Sequence, residues 1–431
     1  MHHIVKRIFE NALRVMARML LRKYHPLIVG VTGSVGKSST KEAVGLVLAQ
    51  KYLVRTAEGN YNNEIGIPLT ILGSKSGGRS LFRWIWIGIR WFGYVLFPFR
   101  YPEVLVLEMG VDRPGDMDYL LSIVSVDIGV LTQISESHIE YFGSLQNIAK
   151  EKGKLITSLP VSGFAILNAD DVRVSRFQEK TKAKVLTFGF GEGADIRADH
   201  IVVEPEARLA KGLSFKMDYH GKSLPVRLPK VIAKHQVSAA LAAAAVGIAL
   251  RVNPVQIVDA LVAFGPLPGR MRLVPGTKGS ILLDDTYNAS PASTAAALAV
   301  LCELRADRKL VILGDMLEIG EESMKRHREL AEPVVLSGAK QVVLVGHGMK
   351  HLFDELIERF GFSRQQVFWF ERSGEAASFA EDMAREGDLI LVKGSQGMRM
   401  ERVSEKLLFD PVEAPYFLCR QSSEWKAKSS E

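Results

Sequence analysis

The chain of 431 residues contains only two cysteines, Cys302 and Cys419, which lie far apart in sequence. Two cysteines cannot build a disulfide scaffold or a metal site of several thiolates, and they suit a reducing compartment, here the cytoplasm. A membrane-spanning run is also missing, because Arg83 and Arg90 interrupt the one long apolar candidate at residues 81–99. The sequence therefore favours an enzyme or binding protein with ordinary packed cores.

Acidic residues are scarce where basic residues concentrate. The formal net charge is +7, from 55 lysines and arginines and 48 aspartates and glutamates. Residues 1–24 contain six basic residues and one acidic residue, and residues 74–101 contain five basic residues and no acidic one. The rest of the chain is slightly acidic. A nucleic-acid binder carries its positive footprint on the folded domain itself, so nucleic acid is excluded as a partner.

Hydrophobic patterning predicts an α/β fold, because short apolar runs alternate with helical stretches, first to about residue 130 and again after residue 270. An irregular stretch at 195–230 suggests an excursion of the chain into antiparallel strands. Residues 2–24 predict a basic amphipathic helix, in which arginines exclude a secretory signal. The predicted organisation is an N-terminal helix, a central domain with a basic aromatic insert, a C-terminal domain and a polar tail, at residues 1–26, 27–268 (insert 74–101), 269–415 and 416–431.

A glycine-rich turn, Thr-Gly-Ser-Val-Gly-Lys-Ser-Ser, lies between the first apolar strand and the next helix. Glycines let backbone N–H groups approach an anion, and the helix N-terminus adds partial positive charge. Lys37 would reach the β- and γ-phosphates, and the Ser38 hydroxyl would bind Mg²⁺. Val31 stands where a strict Walker A motif has glycine, so this is a variant loop, and a chance glycine turn is the alternative. The predicted nucleotide-binding residues of the loop are Thr32, Gly33, Ser34, Gly36, Lys37, Ser38 and Ser39.

Several further motifs follow this loop in a fixed order. They are Asn60-Tyr-Asn-Asn-Glu-Ile-Gly, Glu108-Met-Gly, Ser137-His-Ile-Glu, Lys152-Gly, Leu167-Asn-Ala-Asp-Asp, Gly269-Arg, Asp284-Asp-Thr-Tyr-Asn-Ala-Ser-Pro, Gly314-Asp-Met-Leu-Glu and Lys393-Gly-Ser-Gln-Gly-Met. Together they resemble the Mur ligase family, and its MurF-type members in particular, over about residues 28–405. The resemblance implies a central P-loop-type ATPase domain with a mostly parallel sheet, followed by a Rossmann-like α/β C-terminal domain.

The resemblance also implies the chemistry of a cytoplasmic enzyme of peptidoglycan synthesis. In this family ATP phosphorylates the carboxylate of a UDP-N-acetylmuramoyl-tripeptide, and the amine of D-alanyl-D-alanine attacks the acyl phosphate. Both reacting partners are anionic, so Mg²⁺ and cationic side chains are needed to stabilise the phosphoryl transition state. The implied cofactors are ATP and Mg²⁺, and the implied catalytic residues are Lys37, Glu108, His138 and Lys152.

The metal site is implied by the same resemblance. Its ligands would be Ser38, Glu108, His138 and a Lys152 that CO₂ has carbamylated, which converts a cation into the hard oxygen ligand that Mg²⁺ prefers. From residue type alone the alternatives stay open. Glu108 is equally a solvated strand-end carboxylate, His138 a core or helix-terminus histidine, and the lysine run at 150–154 a solvated helix face.

The remaining candidate residues are also carried by the resemblance. Nucleotide contacts are expected at Asn168, His235, Gln236, Arg270 and Asp285, and substrate contacts at Asn62, Asn63, Glu64, Tyr287, Asn288, Lys393 and Ser395. Ordinary turns with local side-chain bonds are the alternative for residues 285–288 and 393–395. Gln236 and Ala239 depart from the family's usual asparagines, which leaves the adenine contacts open.

A second departure concerns the substrate's nucleotide end. Only about 27 residues precede the phosphate loop, too few for the N-terminal domain with which MurF-type enzymes usually hold UDP. Two other functions therefore remain as alternatives. One is a related ATP-dependent amide ligase with another acceptor, similar to folylpolyglutamate or cyanophycin synthetases. The other is a membrane-associated binding protein that hydrolyses nucleotide.

The basic aromatic insert holds three of the five tryptophans of the chain within residues 81–99. Tryptophan together with arginine suits the lipid headgroup region. With the basic helix at 1–24, the insert predicts a peripheral contact with the inner face of the membrane. The alternative is that the two segments pack on each other or across a dimer.

Overall fold

The computed structural model describes residues 2–57, 59, 61–78, 80–136, 139–206 and 209–427. They divide into two compact units. The first comprises residues 1–202, 214–229 and 235–264, and the second comprises residues 203–213, 230–234 and 265–431.

The first unit contains a nine-stranded sheet in the order β2-β3-β1-β4-β5-β6-β7-β8-β9, except that the end of β7 from residue 203 and the start of β8 up to residue 213 are grouped with the second unit. Its strands are β1 Leu27–Thr32, β2 Val54–Thr56, β3 Val104–Glu108, β4 Ile128–Leu131, β5 Phe164–Asn168, β6 Lys184–Gly189, β7 Ile196–Glu206, β8 Leu209–Tyr219 and β9 Lys222–Leu228. Its helices are α1 His2–Tyr24, α2 Lys37–Leu48, α3 Gly66–Leu72, α4 Leu81–Leu96, α5 Asp116–Ile123, α6 Ile139–Phe142, α7 Leu145–Thr157, α8 Val172–Ser175, α9 Val237–Ala249 and α10 Pro254–Leu261.

The strands from β2 to β7 pair in parallel. The central ones are continuous apolar runs because helices cover both faces of a parallel sheet. Two residues, His220 and Gly221, connect β8 to β9. So short a connection joins antiparallel strands only, which agrees with the excursion predicted at 195–230.

The second unit contains a six-stranded sheet in the order β10-β11-β15-β12-β13-β14. Its strands are β10 Arg272–Pro275, β11 Ile281–Asp285, β12 Arg308–Gly314, β13 Gln341–Val345, β14 Val367–Phe370 and β15 Asp388–Lys393. Its helices are α11 Pro291–Glu303, α12 Ser323–Arg328, α13 Ala331–Leu336, α14 Met349–Glu358, α15 Ser373–Met383, α16 Glu401–Leu407, α17 Ala414–Phe417 and α18 Ser423–Lys426.

Only the edge strand β10 is antiparallel in this second sheet. Alternate residues of β12 enter two different cores, Val311 and Leu313 on one face and Leu310 and Ile312 on the other. A sheet buried on both faces by helices is doubly wound. The predicted α/β class is confirmed, with a mostly parallel first sheet and a Rossmann-like second unit.

Helix α1 belongs to the first unit rather than standing apart as a segment 1–26. Leu13, Ala17 and Leu20 of α1 are buried in the unit's core. The insert forms α4, and the Lys23 ammonium of α1 donates to the carbonyls of three residues at the end of α4, at 2.8–2.9 Å. The two basic segments therefore pack on each other. Among the described residues, no helix has the length and apolarity needed to cross a membrane.

The C-terminal segment also differs from the prediction. A polar tail was expected from residue 416, yet Leu418 is buried in the core of the second unit and Cys419 is only 9% exposed. Apolar residues at 417–419 interrupt the polar composition, and their burial extends the folded unit beyond residue 415.

Candidate active site

The phosphate loop of residues 33–36 joins the end of β1 to the start of α2. Gly33 has φ +148°, and a Cβ on it would lie 2.0 Å from the Thr132 hydroxyl oxygen. Gly36 precedes the helix with φ +85°. Both conformations favour glycine, and at Gly33 the neighbouring side chain excludes any larger residue.

The start of α2 is built to receive an anion. The first N–H groups of a helix have no acceptor within it, and the first turn of α2 carries no acidic residue. Ser38 and Ser39 are buried there. The Lys37 ammonium folds back over the loop and donates to the carbonyl oxygens of Gly33 at 2.8 Å and Ser34 at 3.2 Å. This arrangement places a cation and backbone donors at the same loop.

Neighbouring strand ends hold the loop in place. The Thr132 hydroxyl, just beyond β4, donates to the Val35 carbonyl at 2.6 Å. The Thr32 hydroxyl donates to the Met109 carbonyl at 2.8 Å, and the Ser34 hydroxyl donates to the Ser135 carbonyl at 3.1 Å. The ends of β1, β3 and β4 thus meet at the carboxyl edge of the sheet, where α/β folds bind ligands.

Glu108 ends β3 opposite Val31 of β1 and is only 3% exposed. Its Oε1 accepts a hydrogen bond from the Asn62 side-chain amide at 3.1 Å. Its Oε2 is buried and accepts no hydrogen bond from any residue that the structure describes. A buried carboxylate oxygen without a partner is costly, and a bound cation would remove that cost.

Lys152 lies on α7 and is 1% exposed. Its ammonium donates to the Val111 carbonyl at 3.0 Å. Burial and, to a smaller extent, the positive charge of Lys37 lower the pKa of Lys152 to about 7, although Asp112, Asp116 and Glu151 act in the opposite direction. At neutral pH a large share of this amine is therefore uncharged.

The other two lysines of the run at 150–154 lie elsewhere. Lys150 is exposed. The Lys154 ammonium binds the carboxylates of Asp118 and Glu151, both at 2.6 Å. Only Lys152 points into the protein beside the phosphate loop.

These residues fit a magnesium ion. The unpartnered Glu108 oxygen and the buried Ser38 hydroxyl are hard oxygen donors, and a carbamate on Lys152 would add another. His138, the remaining predicted ligand, lies outside the described residues. Within the described ranges, no three His, Cys, Asp or Glu side chains cluster as a metal site on their own.

The other predicted residues of the first unit take varied positions. Asn62 contacts Glu108, whereas the Asn63 side chain accepts at 2.9 Å from the N–H of Gly66, the first residue of α3. Glu64 is half-buried. Asn168 ends β5, and its side-chain oxygen accepts from the Asp170 N–H at 3.0 Å.

His235 and Gln236 form a turn of 3₁₀-helix just before α9. The His235 side chain is exposed and that of Gln236 is buried. The pair thus starts the alanine-rich helix, as the sequence predicts.

In the second unit the predicted residues gather at the ends of β11 and β15. Asp285 and Lys393 are neighbours in register, and the Lys393 ammonium binds the Asp285 carboxylate at 2.6 Å. The other Asp285 oxygen accepts from the Met271 N–H at 3.1 Å, and Lys393 also donates to the Asn288 carbonyl at 2.8 Å. The Ser395 hydroxyl accepts from the backbone N–H of a neighbouring loop at 2.9 Å.

Two arginines contact the ring of Tyr287. The guanidinium of Arg270 is 4.0 Å from the ring centroid and that of Arg420 is 5.1 Å away. Arg420 also donates to the carbonyl oxygens of Thr286, at 3.0 Å, and Tyr287. Sequence reasoning missed Arg420 because no motif surrounds it.

Asp284 is a second residue that the sequence did not single out beyond its motif. It is fully buried and accepts from the Gly269 N–H at 2.9 Å and from the hydroxyls of Thr286 and Ser404 at 2.8 Å. Burial raises the pKa of Asp284 to about 6. These bonds fix the strand end from which residues 285–288 project.

Comparison with known proteins agrees with this arrangement. Residues 95–247 match the model of the Mur ligase middle domain, and residues 269–396 match that of the Mur ligase glutamate ligase domain. UDP-N-acetylmuramoyl-tripeptide–D-alanyl-D-alanine ligase of Bacillus subtilis is 28% identical over 93% of this chain and 80% of its own length. The enzyme of the same name from Escherichia coli is 30% identical over 88% of this chain and 76% of its own length.

Among solved structures, MurF ligase of Thermotoga maritima in complex with ADP superposes with a TM-score of 0.75 and 25% identity. The alignment covers 94% of this chain and 84% of that one. The predicted family is therefore confirmed, and the chain belongs to the Mur ligase family as a MurF-type member.

Proposed function

We propose that the protein is an ATP-dependent ligase of peptidoglycan precursor synthesis that joins D-alanyl-D-alanine to a UDP-N-acetylmuramoyl-tripeptide. The γ-phosphoryl group of ATP transfers to an oxygen of the tripeptide carboxylate, and ADP leaves. The dipeptide amine then attacks the acyl carbon, the bond to phosphate breaks, and the amine loses a proton. The products are an amide, ADP and phosphate.

The observation that carries this proposal is the grouping of Lys37, Glu108 and Lys152 at the carboxyl ends of β1 and β3. Phosphoryl transfer depends on positioned cations and backbone donors more than on covalent chemistry. Lys37 and the start of α2 offer such groups, and Glu108 offers an anion that can hold a metal beside them. The names of the relatives supply the substrates.

We further propose that Ser38, Glu108 and His138 hold Mg²⁺ together with a carbamylated Lys152. Bound Mg²⁺ would neutralise charge on the phosphate oxygens. Carbamylation needs an uncharged amine, whose electron pair attacks the carbon of CO₂ while the nitrogen releases a proton. The low pKa of Lys152 supports this step, because its amine is partly neutral at pH 7.

The remaining residues are proposed as ligand contacts. In the first unit these are Thr32, Gly33, Ser34, Gly36, Ser39, Asn168, His235 and Gln236 for the nucleotide, and Asn62, Asn63 and Glu64 for the substrate. In the second unit they are Arg270 and Asp285 for the nucleotide, and Tyr287, Asn288, Lys393 and Ser395 for the dipeptide. The Asp285–Lys393 ion pair supports a positioning role, since it fixes the carbonyl of Asn288.

The test is product formation by the full chain with ATP, Mg²⁺, the muramoyl tripeptide and D-alanyl-D-alanine, followed by mass spectrometry. The expected result is one amide product per ADP released. Lys37→Met should abolish the product, whereas Lys51→Met, which changes an exposed lysine three residues beyond the end of the same helix, should retain it. Phosphate release that depends on neither substrate would contradict the ligase and favour a nucleotide-hydrolysing binding protein. A product formed only with another acceptor would favour a different amide ligase.

We also propose that the enzyme works in the cytoplasm and touches the membrane peripherally. The surface that would make this contact involves none of the residues assigned above.

A further inference from the structure

We infer that the outer surface of α1 and α4 is a docking site for an anionic lipid bilayer. Apart from Arg83 and Arg90, helix α4 consists of apolar, aromatic and glycine residues, which is unusual for a helix at the edge of a protein. Its inner stripe, with Ile87 4% exposed, packs on the core of the first unit. Its outer stripe presents five large apolar side chains that are 50–86% exposed, namely Phe82, Ile85, Trp86, Ile89 and Phe92.

The inner side of α4 is firmly attached to α1, so the outer stripe is not needed to hold the helix. The Trp84 ring packs edge-on against Phe9 with centroids 4.7 Å apart. The Trp91 indole N–H donates to the Met16 carbonyl at 3.1 Å. The Lys23 ammonium binds the last carbonyls of α4 and so neutralises the negative end of its dipole.

Helix α1 extends the same surface. Phe9, Met16 and Lys23 form the stripe of α1 that meets α4. Ile8 and Val15 each precede one of these residues, and they are 64% and 54% exposed. One residue along a helix is a rotation of about 100°, so their stripe lies beside α4 on the side away from the core. Contiguous apolar surface of this kind marks an interaction site.

The charges around this surface favour an anionic partner. Residues 74–101 carry five basic residues and no acidic one, and residues 1–24 carry six basic residues and one acidic one. Arg83 and Arg90 are exposed on α4 itself. Exposed tryptophan and phenylalanine flanked by arginine match the boundary between headgroups and acyl chains, and basic residues near anionic lipid add favourable energy.

A second copy of the chain is a poorer occupant. A two-fold interface brings the same patch of both subunits together. The arginines of the two α4 helices would then face each other, and like charges at a contact oppose association. A bilayer with anionic headgroups offers the complementary charge.

The geometry also fixes how the helix lies. The 16 residues of α4 extend about 24 Å. Arg83 and Arg90 are seven residues, or about two turns, apart, so they lie on the same side of the helix. With its inner side packed on the unit, α4 can enter the bilayer only sideways. It would therefore lie in the plane of the headgroups, with Trp86 inserted and the two arginines at the phosphates.

The experiment is co-sedimentation of the full chain with phosphatidylcholine vesicles, with and without phosphatidylglycerol, at low salt. The wild type should sediment with the anionic vesicles and stay in the supernatant with the neutral ones. The double variant Phe82→Ser, Trp86→Ser should lower the vesicle-bound to free ratio by about tenfold or more. Arg83→Gln with Arg90→Gln should lower it as well and should weaken its dependence on salt.

The matched control is Val161→Ser with Val172→Ser, because these valines are also exposed apolar residues of the first unit, at 69% and 64%. The control should bind vesicles like the wild type. Thermal melting checks that every variant is folded, and ligase activity in solution should be unchanged, since none of these residues contacts the proposed site.

Two results would overturn the inference. The first is equal retention of wild type and serine variant in the supernatant with anionic vesicles. The second is a dimer in sedimentation velocity that the Phe82→Ser, Trp86→Ser change dissociates, without any binding to lipid. Neither result depends on turnover, so failure here is distinct from failure of the proposed ligase activity.

Discussion

Carbamylation of Lys152 should follow a titration centred near neutral pH. Burial brings the pKa of this lysine from 10.5 to about 7. At pH 7 about half of such an amine is uncharged, against roughly 3 in 10,000 for a lysine in water, an advantage of more than a thousandfold. The expected outcome is a carbamate on this residue at ordinary CO₂ levels. The pH at which half of the carbamate has formed should lie far below the corresponding pH of an exposed lysine.

The assay is ¹³C NMR of the protein equilibrated with labelled bicarbonate over a series of pH values. A carbamate signal should rise through the neutral range in the wild type and be absent from Lys152→Gln. Lys150→Gln is the matched control, because it removes an exposed lysine of the same helix and should leave the signal intact. Ligase activity should fall when CO₂ is stripped from the buffers and return when bicarbonate is added.

The same low pKa affects stability, with a defined sign. Between about pH 7 and 10.5 the unfolded chain holds a proton on this lysine that the folded chain has released. The free energy of unfolding of the protein without CO₂ should therefore rise with pH across this window. A carbamate that appears only above about pH 9, or a signal that survives in Lys152→Gln, would refute the reasoning.

Three further changes test other parts of the site. Glu108→Gln keeps an acceptor for the neighbouring amide but removes the charge. The Mg²⁺ concentration for half-maximal phosphate release should therefore rise, and kcat should fall about 10²-fold or more. An unchanged Mg²⁺ titration would contradict this. Gly33→Ala places a Cβ 2.0 Å from the Thr132 hydroxyl, so calorimetric nucleotide binding should be lost, whereas Gly88→Ala, in open space, should bind as the wild type. Burial lowers the pKa of His327, so the free energy of unfolding should decrease as the pH falls below about 6.5, where only the unfolded chain gains the proton. Urea titrations of His327→Gln should show a smaller decrease in the free energy of unfolding over this pH range. A decrease as large as that of the wild type would disprove the effect.

Much of the first unit's site follows from the sequence because strand ends are easy to locate. Glu108 closes an apolar run, and the glycine-rich turn follows another. Parallel strands present their carboxyl ends at one edge, so these groups had to meet. The register that sets Glu108 opposite Val31 comes from pairing over a distance of 77 residues, which no local pattern specifies.

The choice among lysines 150, 152 and 154 needed three-dimensional information. All three lie on one helix within a single charged run, and composition favours a solvated face for each. The burial that separates Lys152 from its neighbours depends on the loop after β3, whose Val111 carbonyl receives its ammonium. The family resemblance singled out Lys152, and packing supplies the physical difference between this lysine and its two neighbours.

The surroundings of the aromatic insert and of the C-terminal residues were harder to predict, for two different reasons. An apolar stripe on α4 could face protein or lipid, and residue types do not distinguish the two. Arg420 sits in a segment of polar composition with no motif around it. Its role arises from the carbonyls of Thr286 and Tyr287, which lie more than 130 residues away in sequence.

The attachment of Arg420 to the Tyr287 loop makes that loop sensitive to events near the C-terminus. A protease that cut between residues 409 and 413, where Phe409 and Val412 are highly exposed, would leave the segment bearing Arg420 attached only by non-covalent contacts, and its dissociation would expose the loop. The two carbonyls would lose their guanidinium, and the tyrosine ring would keep only one of its flanking cations. Loss of the roughly 20 residues beyond such a cut would remove Arg420 together with the buried Leu418, which makes shortened versions of this chain a poor choice for screening inhibitors.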